Sequence, residues 1–329
     1  MSASSERHLM GINFMTPVVK PVGPVSAEWK IDPSVSQELK DQWIQDGYSV
    51  IKGAYSLEQI NAYNDIVKNV RAAIDDGKDE YGLGDRIGQL HQKFPELLEL
   101  ASNRKVLNFL RWAFSDDPIV FGSLNFDKGS QQDAHIDAIF FWPEPSYSMC
   151  GCWVALEDIH IDAGPLFYIS NSHSWPFNHS EDVISSYPQL AEKRLIAQSP
   201  DYPADKKAEI AAELGNAWTE EFKKLEKERC AQRIPLSLKA GDVVFWHSLL
   251  AHGGMPRFDP TLSRKSVVFH YIGKKTRLYT FEQFMLYDYA DMLTQRSQDK
   301  KLASYKEIEY MQYPYFVTYT RDGQKIHPL

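Results

Sequence analysis

The chain divides by the spacing of its apolar positions. Early on they recur at helical intervals. "SLEQINAYNDIVKNV", residues 56–70, sets Ile60, Tyr63, Ile66 and Val67 three or four apart, and Ser56 with Gln59 fits a capping box. "SQELKDQWIQDGYSVIKGAY", residues 36–55, reads as a helix stopped by Gly47 and followed by a short strand at Tyr48–Lys52. "NRKVLNFLRWAF", residues 103–114, reads as another helix. After Asp117 the pattern shortens to strands: "PIVFGSLNF", "AHIDAIFFW", "SMCGCWVAL", "GPLFYIS", "RIPLSL", "DVVFWHS" and "SRKSVVFHYI". They are rich in Val, Ile, Phe and Trp and are parted by Gly, Pro and Asp turns. Short strands without alternating helices predict a mostly β sandwich or jelly roll with flanking helices, and exclude a parallel α/β sheet.

One stretch breaks the run. In "PADKKAEIAAELGNAWTEEFKKLEKERC", residues 203–230, Ile210, Leu214, Trp218, Phe222 and Leu225 form one apolar stripe of a helix. A segment at about 174–233 thus interrupts two core strands. Segments of that length inside a domain are often lids, and the alternative is a helical pair packed on the barrel as decoration. Residues 1–33 read as an extended arm rich in Pro, Ser and Val, and 34–329 as one catalytic domain.

Composition narrows the function. The chain has 329 residues, 43% hydrophobic and 24% charged, as in an ordinary globular protein. A net charge of −8 argues against nucleic acid as a partner, because phosphates need a basic face. No apolar run approaches the ~20 residues that span a bilayer, and the N-terminus lacks the signal-peptide pattern. Three cysteines, Cys150, Cys152 and Cys230, make no disulfide framework and point to a reducing, cytoplasmic setting. Cys150 and Cys152 read as small buried residues. Nothing in the sequence fixes an oligomeric state.

The candidate chemistry sits at "QQDAHIDAIFFW", residues 131–142. On a strand, His135 and Asp137 project to one side. They either hydrogen-bond each other or share a metal. "GDVVFWHSLLAHGG" offers His247 and His252, and the glycines after His252 let the backbone come close. Two His and one carboxylate on one face of an octahedron are the arrangement of non-haem Fe(II) oxygenases. In "SRKSVVFHY", Arg264 and Ser266 would share a strand face as a clamp for a carboxylate, the arginine fork giving two parallel hydrogen bonds. A protein acid is the other possible partner of Arg264. His160 and His173 read as turn or supporting residues.

The order His135-x-Asp137, "WVALEDIHIDAGPLFYISNSH", "GDVVFWHSLLAHGG" and "SRKSVVFHY" resembles the phytanoyl-CoA dioxygenase superfamily of Fe(II)/2-oxoglutarate-dependent oxygenases. "LKDQWIQDGYSVIKGAYSLEQI" resembles that family's entry helix, strand and helix, so the likeness runs from about 38 to 273. It implies a double-stranded β-helix, the cupin-like jelly roll. It implies His135, Asp137 and His252 as iron ligands and as the catalytic set, Arg264 with Ser266 on the distal carboxylate of 2-oxoglutarate, and Trp153 lining that site. It implies O2 as co-reactant and hydroxylation with release of succinate and CO2; the substrate is not written in the sequence, and a small metabolite or natural-product intermediate is the expectation. Asn125, Phe141, Trp218 and Phe222 are the candidates to meet substrate, the last two from an insert lying over the iron. The carboxylate of Asp137 fills the position that halogenases of this mechanism leave for chloride. Two departures stand out: a long gap from Asp137 to His252, and Asn171-Ser172-His173 where the family often has Gly-Ser-His. Residues 274–329 match nothing in the family pattern. A metal enzyme of the same fold without 2-oxoglutarate, or a non-catalytic binding relative, remain the competing readings.

Overall fold

The structure, a computed structural model, describes residues 35–73, 86–175, 180–320 and 323–329; the expected arm at 1–33 lies outside them. Helix α1 (Gln37–Asp46) starts where the Ser36 hydroxyl accepts from Leu39 N–H and stops at Gly47, whose φ of 79° is left-handed. A Cβ at Gly47 would also overlap the His173 ring, so glycine is required twice over. Strand β1 (Tyr48–Ile51) follows, then α2 (Leu57–Ala73). Both halves of the capping box are made: Gln59 N–H donates to Ser56 Oγ, and Ser56 N–H to Gln59 Oε1. Next come β2 (Arg86–Gly88), α3 (Leu98–Ala101) and α4 (Arg104–Phe114), the last capped by the Asn103 side chain.

The β-rich part comprises β3 (Pro118–Phe126), β4 (Phe141–Glu144), β5 (Met149–Ala155) and β6 (Leu166–Tyr168). Three helices interrupt it: α5 (Ser180–Ser186), α6 (Gln189–Ala197) and α7 (Ala204–Glu228). Then follow β7 (Ile234–Pro235), β8 (Val243–His247), β9 (His252–Gly254), β10 (Ser266–Gly273) and β11 (Arg277–Thr280). Helices α8 (Phe281–Leu286) and α9 (Tyr289–Thr294) lead to β12 (Leu302–Tyr305), β13 (Ile308–Met311), β14 (Tyr315–Thr320) and β15 (Gly323–Pro328).

A ten-stranded sheet carries the spine β1-β8-β5-β10-β3-β2-β14-β15, with β13 joining β3 and β12 joining β13. A three-stranded sheet, β7-β6-β9, lies opposite. Its Leu166 and Tyr168 pack against Trp153, Val244, Trp246 and Val268 of the large sheet. The pairs are antiparallel except β13 with β3. This is the expected jelly-roll arrangement of two facing sheets, and the sheets do not close into one hydrogen-bonded barrel. The outer face of the large sheet packs on α1, α2 and α4 through Trp43, Ile60, Phe109 and Phe245. No helix among the described residues is long and apolar enough to cross a membrane.

Two expectations need correction. "AHIDAIFFW" is not a strand. His135 makes an isolated bridge to His252, Asp137–Ile139 turn as a 3-10 helix, and only Phe141 onward is extended. The backbone turns because Ala138 N–H donates to Ser248 O and Phe140 N–H to Asp137 O. The second concerns the insert. Its apolar stripe is buried, as expected, with Ile210, Leu214, Trp218 and Phe222 inside. It faces α8 and the segment bearing His135 and Asp137, in a cluster with Ala134, Ile136, Ile139 and Phe284.

Buried neutral histidines tie stability to pH. His91 is fully buried, its Nδ1 2.7 Å from Ser123 Oγ, and burial pushes its pKa down to about 3. Burial also lowers His247, with His173 adding to the effect. Such groups stay neutral when folded but take protons near pH 6.5 when unfolded, so the unfolded chain binds more protons as pH falls. Stability present above pH 6.5 is therefore lost as pH falls toward 3. Each such histidine contributes a slope of about 1.4 kcal/mol per pH unit. In denaturant titrations of the metal-free protein from pH 7 to 5, His91→Gln is expected to lose less stability than wild type. Parallel losses would refute the assignment.

Candidate metal centre and its cavity

The bridge between His135 and His252 builds the site. His135 N–H donates to His252 O at 3.1 Å, and His252 N–H returns the bond to His135 O at 3.0 Å. This brings two imidazoles from distant parts of the chain to a ring separation of 4.5 Å. The turn after Ile136 then lifts Asp137 beside them. Asp137 Oδ1 lies 3.8 Å from His135 Nε2 and 3.6 Å from His252 Nε2. One ligand atom from each residue fits within 4.8 Å of the others, and this trio is the one such group of three among the described residues.

The hydrogen bonds around the trio suit a cation. His135 Nδ1 is 2.9 Å from Asp133 O, and His252 Nδ1 is 2.9 Å from Leu250 O. A carbonyl can only accept, so both protons are assigned to Nδ1 and each Nε2 carries a lone pair, that of His135 accepting from the Gln132 amide at 3.3 Å. Burial pushes the His252 pKa down to about 4 against the pull of Asp137, which keeps that ring neutral and its lone pair free. Burial alone would raise Asp137, but His252, His270 and His135 outweigh it and hold the carboxyl well below the usual range. A neutral, neutral, anionic donor set is the one a divalent metal of the Fe(II) class takes.

A cavity of about 280 Å³ opens from these residues to Arg264. Arg264 is 2% exposed and makes no ion pair among the described residues. Its Nη1 donates to Gly164 O at 3.2 Å, its Nε has no partner among the described residues, and its guanidinium lies over the rings of Phe126 and Trp153. Burial, with Arg257 nearby, lowers its pKa to about 10, so it remains a cation at neutral pH. A buried charge without a counter-ion is costly, and a ligand carboxylate offsets that cost.

The expected residues distribute unevenly. His135, Asp137, His252, Arg264, Trp153 and Phe141 all line this cavity. Asn125 does not: it faces α2, accepting a hydrogen bond from Tyr63 at 2.6 Å. Ser266 does not line it either. Arg264 sits in the loop before β10, its N–H bonded to Asp127 O, so the shared-strand-face argument fails, and the Ser266 hydroxyl is 3.4 Å from the Arg264 carbonyl. Asn125 and Ser266 instead border a separate cavity of about 540 Å³ beside α2. Trp218 and Phe222 stack on each other inside the insert's own core, and no described residue of 174–233 lines the metal cavity. Among the described residues, the insert packs beside the segment bearing His135 and Asp137 and adds no side chain to this cavity. His247 and His173 pair with each other, rings 5.5 Å apart, away from the trio, and His160 is a surface residue bonded to Asp162.

Sequence reasoning missed Gln132, Trp246, His270, Arg86, Tyr319 and Phe140. For His270 the signal was present, since it shares the parity of Val268 on β10. Tyr319 enters from β14, which pairs with β2 across the sheet, and nothing local marks it.

The region 43–258, which includes His135, Asp137 and His252, matches the family model for Phytanoyl-CoA dioxygenase (PhyH). The chain belongs to the phytanoyl-CoA dioxygenase family. Among curated relatives, Phytanoyl-CoA dioxygenase domain-containing protein 1 of Mus musculus is 30% identical over 89 residues, 26% of this chain. The Danio rerio protein of that name matches to the same extent. These matches span 31% of the relatives' own length. Among solved structures, the non-heme alpha ketoglutarate dependent epimerase SnoN from nogalamycin biosynthesis superposes with a TM-score of 0.56 at 15% identity, covering 85% of this chain and 99% of SnoN. EctD from S. alaskensis, solved with 2-oxoglutarate and 5-hydroxyectoine, gives 0.54 at 17% identity, covering 89% and 93%. At such identities the likeness establishes the shared fold. Within this family frame, Asn171 occupies the place often held by glycine. Its φ of 60° is left-handed, a conformation that asparagine tolerates better than most residues, so the turn survives the change.

The trio has a direct test. His135→Ala and His252→Ala should each abolish tight Fe(II) binding, measured by calorimetry under anaerobic conditions, while circular dichroism stays that of wild type. Retained binding in either variant would remove that histidine from the ligand set.

Proposed function

We propose that the protein is an Fe(II)/2-oxoglutarate-dependent dioxygenase that hydroxylates an unactivated C–H bond of a small metabolite or natural-product intermediate. One observation carries the reading: a two-histidine, one-carboxylate trio and a buried arginine with no ion pair among the described residues open on one cavity. Family membership supports it, as do the 2-oxoglutarate-dependent proteins that share the fold. Fe(II) with 2-oxoglutarate supplies the oxidising chemistry when bound, coupling loss of CO2 and formation of succinate to oxidation of a C–H bond by O2.

The chain's own residues do the rest. His135, Asp137 and His252 would hold the metal at one end of the cavity. Arg264 takes the distal carboxylate of the cosubstrate, and Trp153 and Phe126 beside it keep water from competing for the guanidinium. Phe140 and Phe141, each more than a third exposed, give the cavity an apolar rim. A cavity of about 280 Å³ shared with a cosubstrate leaves room for a small substrate or for one end of a larger one.

Arg264→Lys keeps the charge and loses the planar fork. Breaking a buried charge-assisted pair costs on the order of 2–5 kcal/mol. The 2-oxoglutarate concentration giving half-maximal succinate formation should therefore rise at least about 30-fold, with Fe(II) affinity little changed. An unchanged cosubstrate requirement would show that Arg264 has another role. A gain of one oxygen atom in a metabolite screened with the enzyme, read by mass spectrometry, would identify the substrate.

A further inference from the structure

We infer that Trp246 fixes Asp137 as a one-oxygen ligand, and that Gly151 exists to let it do so. The inference rests on reading His135, Asp137 and His252 as the metal centre. The two carboxylate oxygens of Asp137 have separate surroundings. Oδ1 is the oxygen near the Nε2 atoms of His135 and His252. Oδ2 accepts the indole N–H of Trp246 at 2.8 Å, and His270 Nε2 lies 3.5 Å from the same atom. An indole N–H donates only and does not titrate in water, so it holds Oδ2 as an acceptor at every working pH. The indole also lies 4.5 Å from the His252 ring, tilted by 35°. Trp246 thus touches two members of the trio at once, from a site 4% exposed.

Gly151 explains how the indole gets there. It pairs with Trp246 across β5 and β8, in the interior of the large sheet. A Cβ at position 151 would overlap the six-membered ring and the nitrogen of the indole. Glycine inside a central strand weakens the strand, and its presence marks a close approach. Here the approaching group is the side chain that engages Asp137. The device runs from bare backbone to indole to carboxylate.

The consequence lies in coordination. With Oδ2 committed to Trp246, Asp137 offers the metal Oδ1 alone. Three protein atoms, one from each residue, would then hold the metal, with no fourth taken from Asp137. A carboxylate free to turn would chelate with both oxygens and compete with a chelating cosubstrate. Trp246 is a positioning residue in this scheme.

Co(II) added to the metal-free, full-length protein tests it without turnover. Wild type should bind one Co(II), and His135→Ala should not. Trp246→Phe keeps an aromatic ring beside His252 and removes the donor. Co(II) affinity should fall about ten- to a hundredfold, the range for loss of a residue that orients a ligand, and the visible Co(II) spectrum should change as Asp137 binds differently. Gly151→Ala, which keeps the indole but displaces it, should reproduce the change. Added 2-oxoglutarate should perturb the Co(II) spectrum of both variants less than that of wild type. The wild-type protein gives a check that needs no variant: with 15N-labelled tryptophan, one indole N–H should resist exchange with deuterium and shift on Zn(II) addition. Absence of that signal, or variants with wild-type affinity and spectrum, overturns the inference about Trp246. Failure of wild type to bind Co(II), or binding by His135→Ala, overturns the metal centre itself.

Discussion

Two backbone hydrogen bonds between His135 and His252 decide where everything else in the site must stand. They are made by main-chain atoms, so they fix the two residues' positions whatever the side chains do. The imidazoles then project from neighbouring backbone into one space. The turn that begins at Asp137 follows from the same constraint. Once His135 is tied to β9, the chain must bend to reach β4, and the first residue of the bend is the carboxylate. The glycines after His252 serve that approach. A Cβ at Gly253 would meet the Gln132 carbonyl at 2.5 Å, so a side chain there would push the two segments apart.

Charge is the second constraint, and it joins stability to function. Asp137 and Arg264 are both buried, yet neither is paired with the other. Asp137 lies among imidazoles and accepts an indole N–H, and Arg264 donates to the Gly164 carbonyl beneath the faces of two rings. A fold optimised for stability alone would neutralise such groups or pair them. Keeping them apart, at two places in one cavity, leaves one end suited to a cation and the other to a carboxylate. The folding energy that supports this comes from elsewhere, in the aromatic layer between the sheets and in the helices behind them.

The helical insert belongs to that support. Its stripe of Ile210, Leu214, Trp218 and Phe222 packs behind the ligand-bearing segment rather than across the cavity. Arg233, just past it, bonds Asp133 at 2.6 Å, two residues from His135 and on the residue whose carbonyl fixes the His135 tautomer. The insert therefore packs behind the segment that carries His135 and Asp137. Phe140, Phe141 and the β14 residue Tyr319 line the cavity instead, and Tyr319 lies in a C-terminal region outside the family match.

The sequence by itself determined most of the elements and the candidates for the chemistry. Helical spacing with Ser56 and Gln59 located α2, Gly47 located the end of α1, and β-rich runs located most core strands, because each depends on neighbours within a few residues. Residue types and their order singled out His135, Asp137, His252 and Arg264 as candidates, since a metal and a carboxylate each demand particular donors. Only the tertiary structure decided what faces what. Asn125 is on the α2 side of β3, Ser266 is parted from Arg264 by the start of a strand, and Trp218 and Phe222 face inward to their own cluster. An amphipathic stripe states that a helix buries one face, but not against which partner. Trp246 and Gly151 show the same limit: each is an ordinary strand residue in the sequence, and their bond to the site exists only because β5 and β8 pair in one register.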